Sequence, residues 1–303
     1  MPGWIWIPLV LGAAGAQTVR NAAQRSLTAS AGTLPATFVR FFYGLPFAIA
    51  GYLIVVTAAG APRPEANAAF IAWVALGAIA QLVATAFLLA AMEHRSFIVA
   101  VAYSKTELVQ IVVYSIVLLG ETVSMGSLIA IALATVGVLL LSVKAADERG
   151  RGWRSWLSPA AFLGLASGAC FALSAVGYRG ATRMVTDVSA PVVGTYAVVW
   201  GQAMQSALLG AYLLWRDRKG LEQVLVQWRT STLAGAMGAL ASMGWLTAFA
   251  MRSAADVRTV GLVEVLYGYA VSRRFFRERV SGRELTGILL VAAGIVVISA
   301  LQR

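Results

Sequence analysis

The sequence predicts an all-α integral membrane protein of ten transmembrane helices, arranged as two inverted five-helix repeats. Three observations carry this reading. The 303 residues are 59% hydrophobic and 12% charged, with a mean hydropathy of +0.78, outside the range of soluble domains. Ten runs are long and apolar enough to cross a bilayer as helix. The stretch Glu107–Ser142 recurs without a gap as Glu264–Ser299, at a constant offset of 157 residues.

Crossing the hydrocarbon core as helix takes about 17 to 25 mostly apolar residues. In the first half such runs lie near 4–22, 34–58, 68–91, 96–119 and 124–143, and in the second near 157–178, 190–215, 231–251, 257–276 and 282–301. Barrel strands would alternate in segments of about ten residues, whereas these runs are apolar all round. The longest polar connection, Lys144 to Arg154, follows the fifth run and divides the chain into repeats 1–148 and 149–303, which together make one transmembrane domain. An odd number of spans per half forces the second half to enter from the opposite side. The repeats are then inverted about an axis in the membrane plane, an arrangement typical of secondary transporters.

Ten of the 36 aligned repeat positions are identical, among them Glu107/Glu264, Ser115/Ser272, Glu121/Glu278, Ser124/Ser281 and Gly137/Gly294. Apolar composition aligns leucines and valines by chance, but not pairs of glutamates, serines and a glycine, so the chain reads as a duplication. Each copy has an apolar helix bearing a glutamate, a polar break with Glu-x-Val-Ser, and a second apolar helix with a central glycine. Ser124 and Ser281 stand at N-cap positions, and Ser281 to Glu284 reads as a capping box. Glu121 and Glu278 are accordingly interface or capping groups rather than chemistry.

The net charge of +11 follows from the loops. Connections after odd-numbered runs, with their flanks, hold sixteen Lys and Arg, including Arg20, Arg25 and Arg149, against six in even connections and termini, including Arg179, Arg252 and Arg258. The positive-inside rule places the odd loops in the cytoplasm and both termini in the periplasm. Membrane topology thus accounts for the basic residues without a nucleic-acid partner. A lone cysteine, Cys170, and a lone histidine, His94, give no internal disulfide and no metal site, and no cofactor is expected. No positive side chain precedes the first run, so it does not read as a cleavable signal. Trp4, Trp6, Trp153, Trp156 and Trp215 read as an interfacial belt. Small residues at helix-packing spacing, such as Gly164 with Gly168, Gly126 with Ala130 and Ala134, and Gly235 with Ala239, read as close helix contacts.

Ten helices in two halves, an arginine early in the second helix (Phe38-Val39-Arg40-Phe41), and a glutamate-bearing break before a Gly-containing helix in each half (Gly120-Glu121 to Ser124, then Gly137; Arg277-Glu278 to Ser281, then Gly294) resemble the EamA-type transporters of the drug/metabolite transporter superfamily. The resemblance covers nearly the whole chain. It implies a bacterial inner-membrane carrier without ATPase, with alternating access and a central cavity between the halves. Two departures stand out: such proteins are commonly drawn with cytoplasmic termini, and Arg277 replaces the glycine that precedes the first glutamate.

An ionisable group in mid-membrane costs about 2.5 to 3.5 kcal/mol on insertion scales and requires a partner or a wet cavity. Lys105, Glu107 and Glu264 are such groups. Tyr103, Glu107, Gln110 and Tyr114 fall on one helix face, which reads as cavity-lining. Lys105 points elsewhere on a regular helix and either pairs internally or meets substrate. Glu264 shares its face with Tyr267, the repeat mate of Gln110. Softer stripes run through Gln17, Asn21 and Gln24; Trp73, Gly77, Gln81 and Thr85; Ser167, Cys170, Ser174 and Tyr178; and Ser242, Trp245 and Phe249. Each serves packing or interhelical hydrogen bonding as readily as binding.

The candidate substrate-binding and coupling set is therefore Glu107, Glu264, Lys105, Tyr103, Gln110, Tyr267, Gln17, Asn21, Trp73, Gln81, Trp245 and Tyr178. Its expected partners are a small-molecule solute, the lipid bilayer and protons, in a monomer or homodimer. Two carboxylates with cavity aromatics suit an amine-bearing or zwitterionic solute, whereas Lys105 and Arg40 suit a carboxylate. The competing class is an intramembrane enzyme acting on a lipid or isoprenoid. It calls for a clustered nucleophile, base or metal set that the sequence does not offer. A non-transporting scaffold gives no reason for charged groups in mid-helix in both repeats.

Overall fold

The computed structural model describes residues 4–94, 104, 106–147, 159–264, 266–267 and 282–300. Among these residues the chain forms twelve helices and no strand. In chain order they are α1 (Trp6–Ala31), α2 (Thr33–Phe42), α3 (Gly44–Ala58), α4 (Ala68–His94), α5 (Glu107–Leu119), α6 (Met125–Asp147), α7 (Pro159–Arg183), α8 (Ala190–Arg216), α9 (Arg218–Val226), α10 (Trp228–Met251), α11 (Ala254–Gly261) and α12 (Gly282–Ala300). Among the described residues five segments are long and apolar enough to cross a membrane: Thr33–Ala58, Ala68–Leu88, Ala161–Arg183, Ala190–Arg216 and Trp228–Met251. Three shorter apolar helices, Glu107–Leu119, Met125–Leu140 and Leu285–Ala300, accompany them.

Local chemistry accounts for the ends of these helices. Pro191 sits in the first turn of α8, where its missing N–H costs nothing. Gly120 ends α5 in the left-handed region at φ 63°, the usual glycine stop. At the start of α6 the Ser127 backbone N–H donates to Ser124 Oγ at 3.0 Å, the capping bond expected there. Asp217 caps α9 in the same way, accepting from Gly220 N at 3.0 Å.

The structure differs from the sequence reading at four places. Helix α1 runs on to Ala31, past the expected end near 22, so Arg25 as well as Arg20 lies within it. The second run is split at Tyr43 into α2 and α3. The connection after α8 carries the short helix α9, which its polar composition hid. Arg258, counted with the loops, lies on α11. The belt reading fits Trp4 and Trp215, which are exposed, but Trp6 is fully buried; Trp153 and Trp156 lie outside the described residues.

Contacts group the chain into two compact units, each drawing on both halves of the sequence. One comprises Met1–Ile7, Ala80–Val176 and Ser253–Arg303; the other comprises Pro8–Ile79 and Gly177–Arg252. In the first unit, α6 packs along α12, and α11 touches α5, α6 and α12. The α6–α12 contact runs through glycine in both directions. A Cβ at Gly137 would fall 2.7 Å from Gly287 O and 2.8 Å from Val291 N, and a Cβ at Gly294 would fall 2.7 Å from Ala130 O and 3.0 Å from Ala134 Cβ. Gly287, Val291 and Gly294 are the repeat mates of Ala130, Ala134 and Gly137 at the 157-residue offset. The contact is thus reciprocal, with each position meeting the mate of its partner's position. Because the lower-numbered contacts on α6 go to the higher-numbered residue on α12, the two helices run antiparallel.

The second unit is built on α2, α3, α8 and α10. Its helices approach closely at glycines: a Cβ at Gly194 would lie 2.6 Å from the Thr247 backbone, and one at Gly235 would lie 2.5 Å from Tyr43 C. Such approach gains dispersion contact where burial from water gives no drive between helices.

Candidate functional site

In the first unit the site is built around the start of α5. Glu107 stands in the first turn of α5, where the helix N-terminus favours a negative charge. Arg258 on α11 donates from Nη2 to Glu107 Oε1 at 2.6 Å. Glu107 is only 4% exposed, while the Arg258 side chain retains 21%. Charged groups so placed need each other, since the interior solvates neither.

Helix α11 is held in position to make this pair. The Ser253 hydroxyl caps it by accepting from Asp256 N at 3.1 Å. The Asp256 carboxylate in turn accepts from Ser127 Oγ at 2.9 Å, and Ser124 Oγ donates to Ser127 Oγ at 3.0 Å. Two residues apart on a helix, Asp256 and Arg258 point in different directions. One ties α11 to the start of α6 and the other ties it to α5.

Gln110 lies one turn beyond Glu107, and its Oε1 is buried without a hydrogen-bond partner among the described residues. Gly168 of α7 permits the close approach there: a Cβ on it would fall 2.7 Å from Ser104 O and 3.3 Å from Gln110 Oε1. Nearby, Ser167 Oγ donates to Ala84 O at 2.8 Å. Glu264 and Tyr267 are half-buried beyond the Leu262 turn that follows α11, and both make contacts. Gln81 is half-buried, and its backbone carbonyl accepts from Thr85 Oγ1 at 2.9 Å. Tyr103 and Lys105 lie outside the described residues.

The remaining candidates belong to the second unit. Trp245 Nε1 donates to Gln17 Oε1 at 3.2 Å, so these two sequence candidates meet as an interhelical hydrogen bond. Asn21 is exposed, and its Oδ1 accepts from Arg20 Nη2 at 2.7 Å. Tyr178 is buried between Gly77 and Gly201, where a Cβ would fall 3.1 Å from its ring and 2.7 Å from its hydroxyl, respectively. Trp73 packs against Gly180. In this unit Gln17, Trp73, Tyr178 and Trp245 each meet a neighbouring helix.

Two functional candidates escaped the sequence reading. Arg258 was placed among loop cations, and its pairing with a glutamate 151 residues away leaves no local signal. Arg20 was counted with the flank of the connection after the first run, although it falls within 4–22, and it is 5% exposed.

No family model and no curated protein matches the chain. Among solved structures 28 chains match. One of them, described only as "crystal structure of protein", aligns over 98% of this chain and 97% of its own with a TM-score of 0.69 and 18% identity. At that identity the likeness establishes a shared fold over nearly the full length.

Proposed function

We propose that the chain is a secondary active transporter of the EamA type, with ten spans in two inverted repeats, moving a small polar or amphipathic metabolite across the bacterial inner membrane. The observation that carries this reading is the reciprocal α6–α12 contact through Gly137 and Gly294. Repeat-mate helices that cross antiparallel with reciprocal contacts have a two-fold axis perpendicular to them. For helices that span a bilayer such an axis lies in the membrane plane, which is the inverted-repeat architecture of transporters. The five long apolar segments and the buried Glu107–Arg258 pair add support, because an intramembrane ionisable residue points to a transport pathway.

Within this reading Glu107 is the coupling carboxylate. A competing charge on the solute breaks its pair with Arg258 and releases α11 from α5, giving two arrangements for alternating access to exploit. The odd-numbered connections face the cytoplasm and both termini face the periplasm. Reconstitution into proteoliposomes with solute accumulation as the readout tests the proposal. A transporter accumulates solute or exchanges it by counterflow, an enzyme converts solute without a gradient, and a scaffold does neither.

A further inference from the structure

The connection between α8 and α10 forms an elbow that the Glu107 site does not use. Helix α9 docks there by one face. Val224 is fully buried in a cluster with Leu27, Val39 and Ala234, and a Cβ at Gly220 would lie 2.6 Å from Pro35 Cγ. The Val224 carbonyl accepts from Ser231 Oγ at 2.8 Å, which ties the end of α9 to α10. The rest of α9 stays uncovered, with Arg218, Lys219 and Glu222 exposed at one end and Leu225 and Val226 exposed at the other.

Two tryptophans set the depth of this elbow. Trp215 is the last residue but one of α8 and Trp228 is the first of α10, so they bracket α9 at the ends of two segments long enough to span a membrane. Both are exposed, at 78% and 57%, and tryptophan at the end of a span sits at the headgroup level of a bilayer. Each has a guanidinium over its ring: Arg216 lies 5.3 Å from the Trp215 centroid, and Arg229 lies 5.5 Å from the Trp228 centroid. The indoles thus hold two cations at that level.

Helix α9 adds two more. Arg218 and Lys219 stand in its first turn, where the helix dipole opposes positive charge and favours an anion. The near carboxylate, Asp217, is engaged as the cap and accepts from Gly220 N at 3.0 Å, while Arg218 Nε donates to Leu214 O at 2.8 Å. From 215 to 229 four cations outnumber two carboxylates, Asp217 and Glu222. Among the described residues none of the four forms an ion pair.

Guanidinium and ammonium groups bind phosphate by charge-assisted hydrogen bonds, and exposed apolar side chains beside them take acyl chains, as on interfacial helices. A positive excess at headgroup level discriminates against zwitterionic lipid. We propose that the elbow of α8, α9 and α10 binds anionic phospholipid, with Arg216, Arg218, Lys219 and Arg229 drawing the headgroup and Leu225 and Val226 meeting the chains. The charge distribution assigns this connection to the cytoplasmic side, so the lipid belongs to the inner leaflet. The inference does not depend on transport.

The test reads contact between lipid and the two tryptophans. The full chain and its Trp215→Phe/Trp228→Phe variant are reconstituted into vesicles of phosphatidylcholine and phosphatidylglycerol. Bromine, which quenches indole fluorescence on contact, is carried on the acyl chains of one lipid or the other. The difference between the two proteins isolates quenching at the elbow. At equal mole fraction, brominated phosphatidylglycerol should quench it more than brominated phosphatidylcholine. Replacing any one of the four cations with glutamine should lower this preference by up to about fivefold, the worth of one basic side chain near an anionic membrane surface. The variant with all four replaced should lose the preference. All four side chains are exposed, and the wild-type comparison of the two lipids decides even if a variant does not fold.

Equal quenching by the two lipids in wild type overturns the proposal, as does a preference unchanged in the variant with all four replaced. Absence of elbow quenching by either lipid overturns it too, because a second copy of the chain or another protein then covers the surface. Loss of the preference with inorganic phosphate, but not with sodium chloride of the same ionic strength, would show a phosphate-ion site and overturn the lipid assignment.

Discussion

Arg258 Nη2 donates to Glu107 Oε1 at 2.6 Å, joining α11 to the first turn of α5 across 151 residues of chain. Neither partner is well solvated where it lies, so the two depend on each other. Arg258→Met should destabilise the protein by about 3 to 5 kcal/mol, the usual penalty for stranding a buried charge. Glu107→Gln should cost less, because Arg258 keeps 21% of its side-chain surface. The double substitution should cost clearly less than the two singles together. Melting temperatures of the four proteins in detergent check this, and strictly additive losses would show that the pair does not act as a unit.

The α6–α12 contact predicts matched behaviour at two positions far apart in sequence. Gly137→Ala and Gly294→Ala each place a methyl within 2.8 Å of backbone on the facing helix, so the helices must separate. Overpacking of this kind costs about 1 to 3 kcal/mol. The two single variants should melt at similar temperatures below wild type. A large effect at one position with none at the other would contradict the reciprocal contact.

Orientation is checked by labelling. Glu222 on α9 and Glu65 before α4 are both exposed, and they fall in connections that the charge distribution assigns to opposite sides. In a background lacking Cys170, an impermeant thiol reagent added to intact cells should modify Glu65→Cys and spare Glu222→Cys. The reverse pattern would invert the assignment.

Several of the helices were legible in the sequence because apolar run length is a local quantity. The runs read at 190–215 and 231–251 correspond to α8 and α10 within three residues at every end. The break after α5 was also legible, since Ser124 caps α6 through its own backbone neighbourhood. What the sequence did not disclose is long-range. Arg258 sits in a segment whose polar start resembles a loop, and only the fold shows that its guanidinium reaches Glu107. Gln17 and Trp245 were legible as polar positions on helix faces, but that they bond to each other depends on how α1 and α10 meet. The burial of Arg20 was hidden for the same reason: burial of a polar side chain is decided by the neighbouring helix.

The account stands most directly on transport by Glu107→Gln. Wild-type, Glu107→Gln and Glu264→Gln proteins are to be reconstituted, and solute exchange measured below the melting temperature of each. The account predicts that Glu107→Gln loses exchange while still binding solute. Wild-type exchange rates in Glu107→Gln would contradict it.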